Sequence, residues 1–231
     1  MKGTLYCVGV GPGDPELLTL KALKIIRTCP VLAVPQSRTG VVTAQGILLK
    51  ALDGCGVSLE DKMVIAMDFP MTRDDQVLQG AHEKAARRLQ DELDQGRDVC
   101  LITLGCPTVY APSIYVHRLV HEAGYDTEIV PGVPSFCAVA AKLQQPLCEK
   151  DEALIVIPGN NAHRKELLAL EGSKVIMKPS GRLAPIQEEL RDLQLLDKAS
   201  MIERCGLPGE RVYEKAADAK ETGYFAVLLV K

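Results

Sequence analysis

The sequence predicts an α/β protein in two parts, an N-terminal domain on a mainly parallel β-α-β sheet and a C-terminal α+β domain. Three observations lead there. Apolar, β-branched runs at residues 4–10, 31–34, 63–67, 99–104 and 127–130 alternate with helical patterns. Near-continuous apolar strands of this kind belong to parallel sheets covered on both faces. Beyond residue 122 the rhythm changes, because the runs at 154–157, 174–177, 200–203 and 224–230 are separated by shorter, irregular pieces, as in α+β architectures. Finally, 231 residues with 47 % hydrophobic and 25 % charged side chains can fill one large core or two small ones. The boundary is expected at the loop Glu122-Ala123-Gly124-Tyr125, giving domains 1–121 and 122–231.

Taken in order, the first strand runs into Gly9-Val10-Gly11-Pro12-Gly13-Asp14-Pro15 and then a helix. Asp14 reads as its N-cap and Pro15 as its first residue, with Glu16 matching the helix dipole and Lys21, Lys24 and Arg27 towards the other end. A G-x-G-x-x-G fingerprint would need glycine where Asp14 stands, Pro12 removes a backbone donor, and no Lys-Ser/Thr pair follows, which argues against dinucleotide and P-loop phosphate sites. Glycines let a ligand approach the main chain, while a carboxylate at the helix mouth disfavours anions. The turn therefore suits a neutral or cationic small molecule.

The longest helix is expected over residues 74–95, stopped by Gly96, with Glu83, Lys84, Arg87, Arg88, Asp91 and Glu92 as a solvated face. The fourth strand leads into Leu104-Gly105-Cys106-Pro107-Thr108-Val109-Tyr110, and the fifth into Pro131-Gly132-Val133-Pro134-Ser135-Phe136 and a helix. Carboxyl ends of parallel strands lie on one edge of the sheet, where ligands bind, so the three turns are expected to converge. None carries Lys or Arg, which leaves main chain, small side chains and a few aromatics to line the crevice. His117 and His121 have metal-binding i,i+4 spacing, but without the H-E-x-x-H order or a third ligand nearby no metal site is expected.

Several classes drop out. A net charge of −3 provides no basic field for nucleic acid. No apolar run has the length of a membrane span, and the opening residues lack a secretory signal pattern, so a cytoplasmic protein without nucleic-acid or membrane partners is expected. Cys7, Cys29, Cys55, Cys100, Cys106, Cys137, Cys148 and Cys205 are scattered without a C-x-x-C pair, the pattern of free thiols in a reducing compartment. No internal repeat is visible.

The three turns together resemble the S-adenosylmethionine-dependent tetrapyrrole (corrin/porphyrin) methyltransferases. Gly9 to Asp14 followed by Leu17-Leu18-Thr19-Leu20-Lys21-Ala22 is similar to the family's first signature, Leu104 to Tyr110 resembles its G-D-P-x-x-Y loop, and Pro131 to Phe136 resembles its P-G-V-T-S-F loop. Asp68-Phe69-Pro70-Met71-Thr72-Arg73-Asp74, Val175-Ile176-Met177-Lys178 and Gly223-Tyr224-Phe225-Ala226-Val227 resemble the branch that methylates C-20 of precorrin-2 or cobalt-factor II. The resemblance implies the two-domain tetrapyrrole methylase fold, commonly a homodimer, with S-adenosylmethionine as methyl donor in a cleft between the domains and no protein-bound metal. By position it assigns donor contacts to Pro12, Gly105, Cys106, Val109, Pro134 and Ser135, and from the second domain to Met177, Gly206 and Ala226. Two departures stand out. Cys106 occupies the usual place of Asp, and Pro134 that of Thr. A thiol, with a reference pKa near about 8.5 against about 3.9 for Asp, does not inherit a carboxylate's proton-accepting role.

The chemistry so implied is an in-line displacement at a sulfonium methyl by an electron-rich meso carbon, which then loses its proton. Positioning donor and acceptor at about 3 to 3.5 Å carries much of such a barrier. Tyr110 and Tyr224 are the catalytic candidates for the proton by place. The carboxylates of a tetrapyrrole substrate call for cations, and Arg38, Arg73, Lys150, Lys178, Arg182 and Arg204 are available. Alternatives are methylation at another tetrapyrrole carbon or of the diphthamide precursor, and a non-catalytic protein that binds tetrapyrrole and donor.

Overall fold

The computed structural model describes residues 1–36, 44–54, 59–70, 72 and 74–231. It divides into two compact units, Met1–Pro134 and Ser135–Lys231. The division falls after the fifth strand rather than at 121/122. The reason is pairing: β5 (Thr127–Val130) bonds to β1 (Leu5–Gly9), with Leu5 opposite Thr127.

In the first unit β1, β2 (Val31–Gln36), β3 (Met63–Asp68), β4 (Val99–Thr103) and β5 form an all-parallel sheet of order β3-β2-β4-β1-β5. Its helices are α1 (Leu20–Thr28), α2 (Ala44–Gly54), α3 (Asp75–Asp94) and α4 (Ser113–Glu122). Every residue of β4 is buried, which is why that strand reads as a continuous apolar run. Leu89 and Leu93 of α3 and Val116 and Val120 of α4, all at 0 % exposure, close one core against Leu5, Cys7, Val99 and Leu101. Each such leucine contributes roughly 1.5 to 3 kcal/mol by leaving water.

Two local expectations are corrected. Asp14 does cap, accepting the Glu16 N–H at 2.9 Å, but it caps a single 3-10 turn, Pro15–Leu17. The helix proper starts at Leu20, where the Thr19 hydroxyl accepts the Ala22 N–H at 3.2 Å. On α3 the expected ends hold, with Asp74 accepting from Gln76 and Val77, but Glu92 is not solvated. It is 2 % exposed and sits between Arg88 and Arg97, which hold its carboxyl below the usual carboxylate range. Arg97 lies beyond the helix, so no helical spacing announces this pair.

The second unit contains α5 (Ser135–Lys142), β6 (Leu154–Pro158), α6 (Arg164–Leu168), β7 (Ser173–Met177), α7 (Leu183–Asp192), β8 (Ala199–Glu203), β9 (Arg211–Tyr213) and β10 (Ala226–Val230). The sheet order is β6-β7-β10-β8-β9, with β6 and β7 parallel and the other pairs antiparallel. This is the mixed sheet of an α+β domain. Its core gathers Ile157, Leu168, Ile176, Ile186, Leu190, Met201 and Leu228. Tyr224 and Phe225 fall outside β10, and the short β9 is an element the sequence pattern does not announce.

Among the described residues, no helix is long and apolar enough to cross a membrane. Cys7, Cys29, Cys100 and Cys106 are buried and Cys148 is exposed, all as free thiols. Burial pushes the Cys7 and Cys29 thiols up to about 12, so neither supplies a nucleophilic thiolate near neutral pH. Cys55 lies outside the described residues.

Candidate active site

Because β1 lies between β4 and β5, the turns leaving the carboxyl ends of these three strands are neighbours. They meet through main chain. The Val10 N–H donates to the Thr103 carbonyl at 2.9 Å, and Gly11 and Gly105 exchange a pair of bonds at 3.3 and 2.7 Å. A Cβ on Gly9 would lie 2.5 Å from the Gly105 oxygen and 2.6 Å from the Gly132 nitrogen, and one on Gly132 would fall on the Gly105 oxygen. Contacts that close are open only to glycine. Gly105 also has φ +68°, in the left-handed region. Gly11, Pro12 and Gly13 are buried beside this contact in sequence. The convergence expected of the three turns is therefore present within the first unit.

The second turn continues with Cys106, 5 % exposed, whose Sγ lies 3.0 Å from Thr108 Oγ1, while its carbonyl accepts the Val109 N–H at 3.1 Å. Tyr110 follows at φ +47° with 47 % of its surface exposed. For a residue with a large side chain this backbone is sparsely allowed, and it marks where structure rather than local preference decides. Val109, Pro134 and Ser135 are half-buried. Ser135 opens α5 and belongs to the second unit.

Within the second unit, Met177 ends β7 opposite Val227 and Pro158, and Ala226 opens β10 opposite Glu203. The Lys178 N–H donates to Ala226 at 3.3 Å, and the Arg204 N–H donates to Phe225 at 2.8 Å. Lys178, Ser180 and Arg204 all have positive φ, of 55°, 40° and 57°, so backbone strain of order 1 to 3 kcal/mol per residue collects at this end of the sheet. Gly206 lies in the turn after β8, exposed, at φ +72°, and donates to Glu210 Oε2 at 2.7 Å. That bond, with Lys142, holds the Glu210 carboxyl below its ordinary range. The Tyr224 ring meets Phe225 edge-on at 5.2 Å, with Lys178 Nζ 5.4 Å above its centroid. Met177, Ala226, Gly206 and Tyr224 thus share one end of the second sheet.

The cations do not form one set. Lys178, Arg182 and Arg204 leave β7 and β8 at the end just described, whereas Lys150 precedes β6, whose first residue Leu154 pairs with Ser173 at the opposite end. Arg38 and Arg73 lie outside the described residues. His117 and His121 stack at 6.0 Å, and His121 Nδ1 is 3.1 Å from Thr127 Oγ1. Among the described residues no group of three His, Cys, Asp or Glu could hold a metal.

Sequence reasoning overlooked two buried charge pairs that shape the second end. Arg164, 6 % exposed, makes a two-point bond to Glu189, at 2.7 Å on each oxygen, and donates to the Gly159 carbonyl. Gly159 in turn bonds the Met177 carbonyl at 2.7 Å. Glu203, 4 % exposed, receives Arg211 and the Gly223 N–H. In sequence both pairs are ordinary surface charges, and only the fold brings their members together.

Comparison with known proteins places this geometry. Residues 4–220 match the model of the Tetrapyrrole (Corrin/Porphyrin) Methylases. The chain is 31 % identical to a cobalt-precorrin-2 C(20)-methyltransferase of Salmonella typhimurium, over 100 % of this chain and 97 % of that one. It is 30 % identical to a precorrin-2 C(20)-methyltransferase of Sinorhizobium sp, over 99 % and 95 %. Its fold is similar to that of a uroporphyrin-III C-methyltransferase from Thermus thermophilus complexed with S-adenyl homocysteine, with a TM-score of 0.69, 22 % identity and coverage of 99 % and 97 %. The two sheets, the glycine-to-glycine meeting of three turns and the match along nearly the whole chain agree: this protein belongs to the tetrapyrrole (corrin/porphyrin) methylases.

Proposed function

We propose that the protein transfers a methyl group from S-adenosylmethionine to C-20 of precorrin-2 or its cobalt complex, a step of corrin (cobalamin) biosynthesis. The observation that carries this reading is the backbone-to-backbone contact of Gly9, Gly105 and Gly132, which draws the three turns together at the carboxyl edge of the sheet. The three turns contain no Lys or Arg, so nothing in them repels a sulfonium. The relatives that match from end to end carry C(20)-methyltransferase names, and the similar Thermus thermophilus fold was obtained with the demethylated donor.

The donor supplies a methyl carbon already activated by positive sulfur. The chain's part is to hold and aim. Pro12, Gly105, Cys106, Val109, Pro134 and Ser135 are proposed to contact the donor, chiefly through main chain, which the replacement at Cys106 leaves intact, whereas Pro134 keeps only its carbonyl for such a contact. Met177, Gly206 and Ala226 are the proposed contributions of the second unit. When the meso carbon forms its bond to the methyl group, the carbon–sulfur bond breaks and the positive charge passes to the macrocycle. Loss of the meso proton then neutralises it. Tyr110 and Tyr224 are the proposed hydroxyls at that step, alone or through a water. Lys178, Arg182 and Arg204 are proposed partners for the substrate's carboxylates. A homodimer in a reducing, cytoplasmic setting completes the proposal.

The test uses donor labelled with carbon-13 in its methyl group and precorrin-2, with and without cobalt. One added methyl whose resonance correlates with C-20 is the expected result. A label at another carbon, or calorimetry showing no donor binding by folded protein, overturns the reading.

A further inference from the structure

Glu203 ends β8 and is buried, yet both of its oxygens are engaged. Oε1 accepts the Gly223 N–H at 2.7 Å, and Oε2 accepts Arg211 Nε at 3.0 Å and Nη2 at 2.5 Å. A Cβ on Gly223 would stand 2.5 Å from Oε1, so the acid and the bare glycine fit each other. The next two bonds in sequence are Arg204 N–H to the Phe225 carbonyl and Lys178 N–H to the Ala226 carbonyl. The segment 223–226 is therefore fixed at three points, and Tyr224 lies between the first two.

A buried carboxylate is a costly way to fill space, since apolar residues of similar volume often serve stability as well or better. What an apolar residue would not provide is an acceptor for Gly223. Arg211 does not depend on Glu203 for hydration either, because it is 47 % exposed and has Glu221 at 3.7 Å. The acid is thus better explained by the segment it holds than by the core beneath it.

We propose that Glu203 is a positioning residue for the methyl-transfer reaction: through the Gly223 N–H it fixes the backbone from which Tyr224 presents its phenol to the tetrapyrrole. The proposal rests on the role given to Tyr224 above. Replacing Glu203 with leucine removes the acceptor while keeping a filled core, and replacing it with glutamine keeps an oxygen for Gly223.

The experiment measures kcat, donor KM and thermal midpoint for wild type, E203L, E203Q, Y224F and E203L/Y224F. In parallel, it follows the fluorine resonance of Tyr224 in protein labelled with 3-fluorotyrosine, assigned by its loss in Y224F. E203L should lower kcat about tenfold or more with donor KM within about twofold, because a small misplacement near the reacting atoms is expensive. E203Q should recover most of that loss. In the Y224F background, E203L should change kcat by less than about twofold, since interacting residues are not additive. The fluorine resonance should shift in E203L and stay in place in E203Q. Equal loss in both backgrounds, or an unmoved resonance in E203L, overturns the proposal. The two failures are separable: a wild-type protein that methylates no tetrapyrrole overturns the reaction, whereas the fluorine shift judges the positioning by itself.

Discussion

The ends of the two sheets are held in opposite ways. At the first, Gly9, Gly105 and Gly132 touch backbone to backbone, and the order comes from excluded volume and main-chain hydrogen bonds. At the second, Arg164 with Glu189 and Glu203 with Arg211 tie down the chain around Met177 and Gly223, and larger residues accept left-handed backbone at Lys178, Ser180 and Arg204. One end is shaped by what is missing, the other by charges withdrawn from water. The first should be sensitive to any added atom, and the second to any lost partner.

The largest expected effect is at the charged end. R164M leaves the Gly159 carbonyl without its donor and Glu189 without its partner, and breaking a buried pair in this way costs about 3 to 5 kcal/mol. Denaturant unfolding measures it, and a loss under about 1 kcal/mol would erase the contrast between the two ends. Next comes G132A. Its new methyl group meets a carbonyl rather than a movable side chain, and overpacking of this kind costs about 1 to 3 kcal/mol. Donor affinity by calorimetry should fall along with stability, and unchanged affinity would show that the glycine contact is structural only.

The smallest effect sharpens the picture of the first unit, whose glycine contact contains no titrating group. Its acid response should come instead from residues such as His82, which is stacked on Tyr115 at 4.9 Å and has its pKa lowered by burial. The unfolded chain, with a histidine pKa near about 6.5, then binds the proton more readily than the folded one. Stability from this group is whole above that value and declines as the pH falls towards the folded pKa. H82F, which keeps an aromatic partner for Tyr115, should flatten the stability profile between about pH 7 and pH 5. An identical slope in wild type and variant would move the response elsewhere, His117 being the next group with a lowered pKa.

Much of this could be read from residue order, and the limits have physical causes. The three glycine turns were legible because each follows an apolar strand and needs residues without side chains. Their direct contact was not, since it depends on β1 lying between β4 and β5, and strand order is a long-range property. Asp14-Pro15-Glu16 suits the start of a 3-10 turn as well as an α-helix, so the true cap at Thr19 went unnoticed. Arg164 and Glu203 look like solvated charges because Glu189 and Gly223 lie 25 and 20 residues away, and Glu92 does because Arg97 lies beyond the end of α3, outside helical spacing. The placement of Lys150 away from Lys178 likewise follows from strand direction, which no local pattern specifies.

The order of the first sheet also bears on how the chain is made. Leu5 pairs with Val99 and Thr127, so β1 is synthesised 99 − 5 = 94 residues before its earlier neighbour and 127 − 5 = 122 before the later one. At about 5 to 20 residues per second, the ribosome needs roughly 5 to 20 s to deliver β4. Through that interval β1 has no sheet neighbour, and β2 can pair only with β3. A nascent chain carrying Leu-Tyr-Cys-Val-Gly with both edges unsatisfied is a natural client for a chaperone that shields extended apolar segments.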